Sequence, residues 1–143
     1  MLARDAAEKT IKKYRTSDPY MLAEKMDIII HRVNLGAVRG MCYSTRRIRQ
    51  IFLHYDLPVH LERFVLGHEI GHLVMYPNSN APFLRGTLFS KERYELEANE
   101  FAIRLIMPDI DIMEHWDYTV NQWAMVYGLP KEIIMLRFKD GEK

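Results

Sequence analysis

The stretch "LGHEIGHLVMY", Leu66–Tyr76, decides how this 143-residue chain is read. Two histidines stand four residues apart, with a glutamate directly after the first. On an α-helix, residues i and i+4 lie one above the other on one face, so His68 and His72 can aim both imidazoles at one point. Zinc takes its nitrogen ligands at about 2.0–2.1 Å, and this spacing supplies two of them without distorting the backbone. Glu69 is rotated about 100° from His68. It is poorly placed to join the pair and well placed to reach a water beside it and take its proton. The plainer alternative is a core helix. Leu61, Phe64, Val65, His68, His72 and Met75 share one stripe, and a lone histidine on such a stripe is more often a hydrogen-bonded core residue. The H-E-x-x-H pattern also arises by chance in large sequence sets, so it does not decide alone.

Three features weigh toward a site. Glu69 borders the apolar stripe, where an ionised carboxylate is costly unless something compensates it, as a dication does. Gly67 and Gly71 each cost about 1 kcal/mol relative to alanine inside a helix, and close approach of another element is the natural reason to keep them. A third ligand is also available, in "SKERYELEANEFAIRLIMP", residues 90–108. Glu92, Glu95, Glu97 and Glu100 are all candidates there. Ala98, Phe101, Ala102, Leu105 and Ile106 form the apolar face of that helix, and Glu95 falls on the same side. Glu97 and Glu100 are expected to project outward as solvated glutamates. Asn99, four after Glu95, is placed to hydrogen-bond the free ring nitrogen of His68 or His72 and fix its tautomer.

Working outward, Met1–Tyr14 reads as a helix, and Ser17 or Asp18 can cap a second one opening at Pro19. "DIIIHRV", "VRGMCYS" and "IRQIFLH" read as strands, with Gly36 and Gly40 bracketing a hairpin-like region and "TRR" forming a turn. The motif helix runs from about Val59 to Tyr76. The next runs from a cap at Ser90 to Met107, and Pro108 stops it. An acidic stretch from Asp109 to Asp117 precedes two short helices, "TVNQWAMVYG" and "PKEIIMLRF". This order of elements predicts an α+β domain with a short antiparallel sheet packed on the motif helix. "IRQIFLH" carries apolar residues on both sides and is a candidate to pair with an extended peptide by strand addition.

The length suits one domain with one hydrophobic core. Apolar residues make up 48% and charged residues 27%, which argues against disorder. The net charge of +1, from 20 basic and 19 acidic residues, gives no global field to hold nucleic acid or an anionic membrane. Arg46, Arg47 and Arg49 are read as a solvated face. Cys42 stands alone, which rules out an internal disulfide. With no N-terminal apolar run, this predicts a cytoplasmic location, and no apolar stretch is long enough to span a bilayer. His31, His54 and His60 are read as structural or exposed.

"FVLGHEIGHLV" and "ERYELEANEFAIRLIMP" together resemble the ImmA/IrrE family of metallopeptidases. The second block is similar to that family's E-x-x-A-[ND]-x-F-A-x-x-L-[LI]-M-P signature, from Glu95 to Pro108. "DPYMLAEKMDIII" and "IRQIFLHYDLP" resemble weaker upstream segments, so the likeness covers about residues 15–110. The resemblance implies a single zincin-like metallopeptidase domain over 1–143, with a helical extension from about 111. It implies a zinc-dependent endopeptidase with metal ligands His68, His72 and Glu95, and Glu69 as the catalytic base. Mn2+ or Fe2+ would accept the same donors. It further implies a protein substrate, a helix-turn-helix repressor of a mobile element or stress response. No spacing rule chooses an oxyanion donor among Tyr76, Tyr94 and His115. The rival reading is a non-enzymatic regulator, in which the last two helices bind DNA or a partner protein. The few basic residues there, Lys131, Arg137 and Lys139, speak against direct nucleic-acid binding.

Overall fold

A computed structural model describes residues 2–77 and 92–139. The elements follow the order α1 (Leu2–Tyr14), α2 (Pro19–Lys25), β1 (Ile29–Val33), β2 (Gly40–Thr45), β3 (Ile48–His54), α3 (Val59–Met75), α4 (Arg93–Ile106), α5 (Asp109–Glu114), α6 (Val120–Tyr127) and α7 (Lys131–Arg137). This is the expected α+β arrangement of a small zincin-like domain. The cap expected at Ser90 falls outside the described residues.

Local chemistry accounts for the element ends. Asp18 accepts from the Tyr20 N–H and caps α2, with Pro19 in its first turn. Thr119 and Gln122 form a reciprocal capping box at α6, and Gly128 ends that helix at φ 65°. The acidic stretch after Pro108 is a further helix, α5, which was not foreseen. Asp109 and Asp111 in its first turn suit the positive end of the helix dipole.

The sheet is mixed rather than wholly antiparallel. Its order is β1-β3-β2: β2 pairs antiparallel with β3, whereas β1 runs parallel to β3 with Ile30 opposite Ile51. The hairpin is therefore β2–β3, closed by Arg46 and Arg47 at φ 49° and 66°, the backbone hand of a type I′ turn. Segment 34–39 is a crossing between the two outer strands. Because β3 is central, both its edges are occupied, and it cannot take an added strand as the sequence suggested. β2 has no second strand partner among the described residues.

Ile51 and Leu53 of β3 and Cys42 of β2 turn into a core with Leu22, Leu66, Ile70 and Phe101. A second cluster holds Phe64, Ile103, Ile106, Trp123, Ile133 and Ile134. Helices α3 and α4 contribute to both, so two apolar clusters replace the single core expected. This explains the burial of α3: every residue from Phe64 to Leu73 is buried, not one stripe. Helix α4 is similarly enclosed, packing against α3, α1 and α7. Glu100 is accordingly buried, contrary to the outward position expected. It is compensated by Arg104 Nε at 2.8 Å and Lys139 Nζ at 3.0 Å. Helix α7 turns Ile133, Ile134 and Arg137 inward and leaves Lys131, Glu132 and Met135 outside, a poor surface for phosphates.

Candidate metal centre

Helices α3 and α4 run antiparallel where they meet. Gly67 and Gly71 are the reason they come so close. A Cβ on Gly67 would lie 3.2 Å from Ala102 Cβ and 3.3 Å from its Cα; on Gly71 it would lie 3.0 Å from Phe101 Cδ1. The close approach inferred from these two glycines is thus present, and α4 is the element that makes it.

This contact brings side chains from the two helices face to face. The rings of His68 and His72 have centroids 4.9 Å apart and stand at 70°. Glu95, in the first turn of α4, places Oε1 2.7 Å from His72 Nε2 and 3.4 Å from His68 Nε2. The three offered atoms all lie within 4.8 Å of one another, and the residues are only 5%, 3% and 7% exposed. On the far side of the ring, His68 Nδ1 lies 2.7 Å from Asn99 Oδ1. A carbonyl oxygen accepts, so Nδ1 carries the proton and Nε2 presents its lone pair toward Glu95.

That arrangement tests whether a cation belongs here. His68 Nε2 is buried and makes no hydrogen bond among the described residues. It faces a carboxylate oxygen, acceptor against acceptor, which is unfavourable unless a positive charge lies between them. In a tetrahedral site with bonds of about 2.0–2.1 Å, neighbouring donor atoms stand roughly 3.3 Å apart; His68 to Glu95 is close to that at 3.4 Å, whereas His72 to Glu95 is a hydrogen bond at 2.7 Å that ligation would replace. Two imidazoles and one carboxylate are a donor set for Zn2+, and Mn2+ or Fe2+ share it.

Glu69 has no exposed surface, and its Oε2 lies 4.0 Å from His68 Nε2. Gly40, the first residue of β2, lies against this part of α3: a Cβ there would clash with Val65 Cγ1 at 2.7 Å and would come into ordinary contact with Glu69 Oε2 at 3.4 Å. Gly40 was read only as part of a hairpin. A glycine at a strand start, where another backbone or side chain approaches, was the available signal.

The remaining candidates are scattered. Tyr76 donates its hydroxyl proton to Glu97 and meets Tyr94 edge-on, ring centroids 4.8 Å apart at 86°. Burial first, then the bond to Glu97, pushes the ionisation of Tyr76 above its ordinary value. Glu97 is half-buried rather than outward, with Arg93 Nε at 3.4 Å. His115 stacks on Tyr118, beside Trp123, in the C-terminal helices. His31 bonds Gln50 and stacks on Phe52. His54 accepts from the Asp56 N–H, and His60 is exposed against Gly128.

Comparison with known proteins gives a consistent picture. The Peptidase_M78 family, described as an IrrE N-terminal-like domain, matches residues 23–139. "Uncharacterized immunity region protein 2" of Bacillus phage phi105 is 35% identical over 140 residues, 95% of this chain and 89% of that protein. "Metallopeptidase ImmA" of Bacillus subtilis (strain 168) is 25% identical over 132 residues, 92% of this chain and 74% of that protein. No solved structure matches the chain. No helix among the described residues is long and apolar enough to cross a membrane. With a family match over most of its length, joined to a buried His-His-Glu cluster, the chain belongs to the metallopeptidase-type family Peptidase_M78, the IrrE N-terminal-like domains.

Proposed function

We propose that the protein is a zinc-dependent endopeptidase in which His68, His72 and Glu95 hold the ion and Glu69 is the general base. The observation that carries this reading is the convergence of the three donor atoms within 4.8 Å in a buried site. A divalent ion bound there supplies Lewis acidity and makes water a nucleophile near neutral pH. Asn99 holds the proton on His68 Nδ1, so Nε2 remains a donor atom. Glu69 accepts the proton of the attacking water and passes it to the leaving amine nitrogen as the peptide bond breaks. Its full burial beside Gly40 shields it from bulk solvent.

The substrate is a protein, and specifically a helix-turn-helix repressor. The family resemblance supports this, as does the likeness to a phage protein named for an immunity region. An extended segment of that substrate pairs with β2, whose outer edge has no strand partner among the described residues and whose first residue touches Glu69. The protein works in the cytoplasm, a reading supported by its single cysteine, Cys42, buried in β2 as a free thiol.

The test combines elemental analysis with one substitution. Protein purified without added metal is expected to carry one divalent ion. Glu69→Gln is expected to keep it while cleavage of a repressor encoded beside the chain, followed by intact-mass spectrometry, falls at least about 10²-fold. Cleavage by Glu69→Gln at the parental rate defeats the base assignment. Metal content that survives combined replacement of His68, His72 and Glu95 defeats the site.

A further inference from the structure

The bond between Tyr76 and Glu97 has no part in the chemistry above, yet it joins the two helices one step outward from the donor atoms. Glu95 sits in the first turn of α4, where backbone N–H groups lack helical partners and the helix frays. The usual remedy is a side-chain cap. Among the described residues, the N-cap residue Glu92 makes no side-chain cap bond. A contact from the facing helix can anchor the turn that presents Glu95.

Tyr76 supplies it from the opposite helix. Its N–H bonds the carbonyl oxygen of His72 at 2.9 Å, which ties Tyr76 to the turn bearing that histidine. Its ring lies 6.2 Å from the His72 ring and packs edge-on against Tyr94. Its hydroxyl donates to Glu97, two residues beyond Glu95. Three contacts thus bridge the helices in sequence: His68 with Asn99, His72 with Glu95, and Tyr76 with Tyr94 and Glu97.

We propose that Tyr76 and Glu97 form a clasp that positions Glu95 for metal binding, and that Tyr76 is a positioning residue rather than the donor to the oxyanion. This rests on the reading of His68, His72 and Glu95 as metal ligands. The Tyr76 proton is committed to Glu97, so it is turned away from a substrate carbonyl. The clasp acts by limiting the orientations of the Glu95 carboxylate before the ion arrives, which lowers the ordering needed on binding.

The test measures Zn2+ affinity by competition with a chromogenic chelator, alongside the melting temperature of the metal-free protein. Tyr76→Phe and Glu97→Ala are each expected to weaken Zn2+ binding by about 10- to 100-fold, as loss of a partner supporting a ligand does. The double variant is expected to be little worse than either single one, because both remove the same bond. Glu97→Gln keeps an oxygen that accepts from Tyr76 and is expected to bind Zn2+ more tightly than Glu97→Ala. Glu97→Ala leaves both tyrosine rings in place, so it tests the bond without disturbing their packing. Parental Zn2+ affinity in both single variants, with turnover lost only in Tyr76→Phe, assigns the tyrosine to the oxyanion and overturns the clasp. A lower melting temperature of the metal-free variants with parental Zn2+ affinity makes the bond merely structural and overturns it as well. Failure of the parent protein to bind Zn2+ is a separate result: it removes the metal-site reading, and the clasp falls with it.

Discussion

Replacing Gly71 by alanine sets two effects of opposite sign against each other. In an exposed helix interior the change stabilises by about 1 kcal/mol, because alanine loses less backbone freedom on folding. Here the new Cβ would stand 3.0 Å from Phe101 Cδ1 and 3.1 Å from both its Cβ and Cγ. A flexible tip could swing away, but the crowded atoms include the one bonded to the α4 backbone, and Phe101 has no exposed surface to move into. Overpacking of this kind costs about 1–3 kcal/mol, so the net effect is a loss of about 0–2 kcal/mol. For a chain of this size the melting temperature should fall by up to about 8 °C. Thermal unfolding followed by circular dichroism, with chelator present, isolates the packing effect from metal binding. Zn2+ titration of the same variant should show weaker binding, since the helices that carry His72 and Glu95 are pushed apart at the adjacent residue. A Phe101→Leu background, which shrinks the crowded side chain, should absorb much of the cost. A melting temperature clearly above the parent's, as in an uncrowded helix, would show that α3 and α4 do not approach closely enough to require glycine, and the proposed assembly of the site would be wrong.

Asn99→Ala leaves His68 Nδ1 without its acceptor at 2.7 Å, and Zn2+ affinity measured by chelator competition should drop about 10- to 100-fold; an unchanged value would detach Asn99 from the site. Arg47→Gly should raise stability by about 0.5–1 kcal/mol in urea unfolding, because Arg47 holds φ 66° at a steric cost glycine lacks, less glycine's own entropic penalty. A loss of stability there would mean the arginine side chain contributes more than its backbone costs. Glu62 is held below its ordinary value of 4.5 chiefly by its bond from Arg32, with burial opposing and Tyr20 helping. A depressed carboxyl stabilises the fold above its unfolded value and loses that contribution as pH falls through the folded one. The destabilisation by Arg32→Gln should therefore be full near pH ~7 and fade below about 4.5. Equal losses at both ends of that range would exclude the linkage.

What could be read from the sequence was whatever local periodicity controls. The four-residue step from His68 to His72 and the register of Glu95 against Ala98 and Ala102 are properties of one helix at a time, as is the step from Glu95 to Asn99. Each of these places a side chain correctly on its helix face. The paired glycines extended that reach to a second element, because a cost of about 1 kcal/mol at each position demands a neighbour. What escaped was set by a third partner. Glu100 read as solvated because only one face of α4 was expected to be covered; α7 covers another, and the distant Lys139 and the local Arg104 make the burial tolerable. The parallel pairing of β1 with β3 escaped for the same reason, since nothing within β1 or β2 states that β3 lies between them. Tyr76 shows the boundary most sharply. Its position one turn past His72 was visible, and so was the row of glutamates on the following helix. That Glu97 would accept its hydroxyl proton depends on the crossing of two helices. The sequence names candidate ligands more readily than the residues that brace them, because the ligands' spacing obeys the period of one helix while the braces obey the geometry between two.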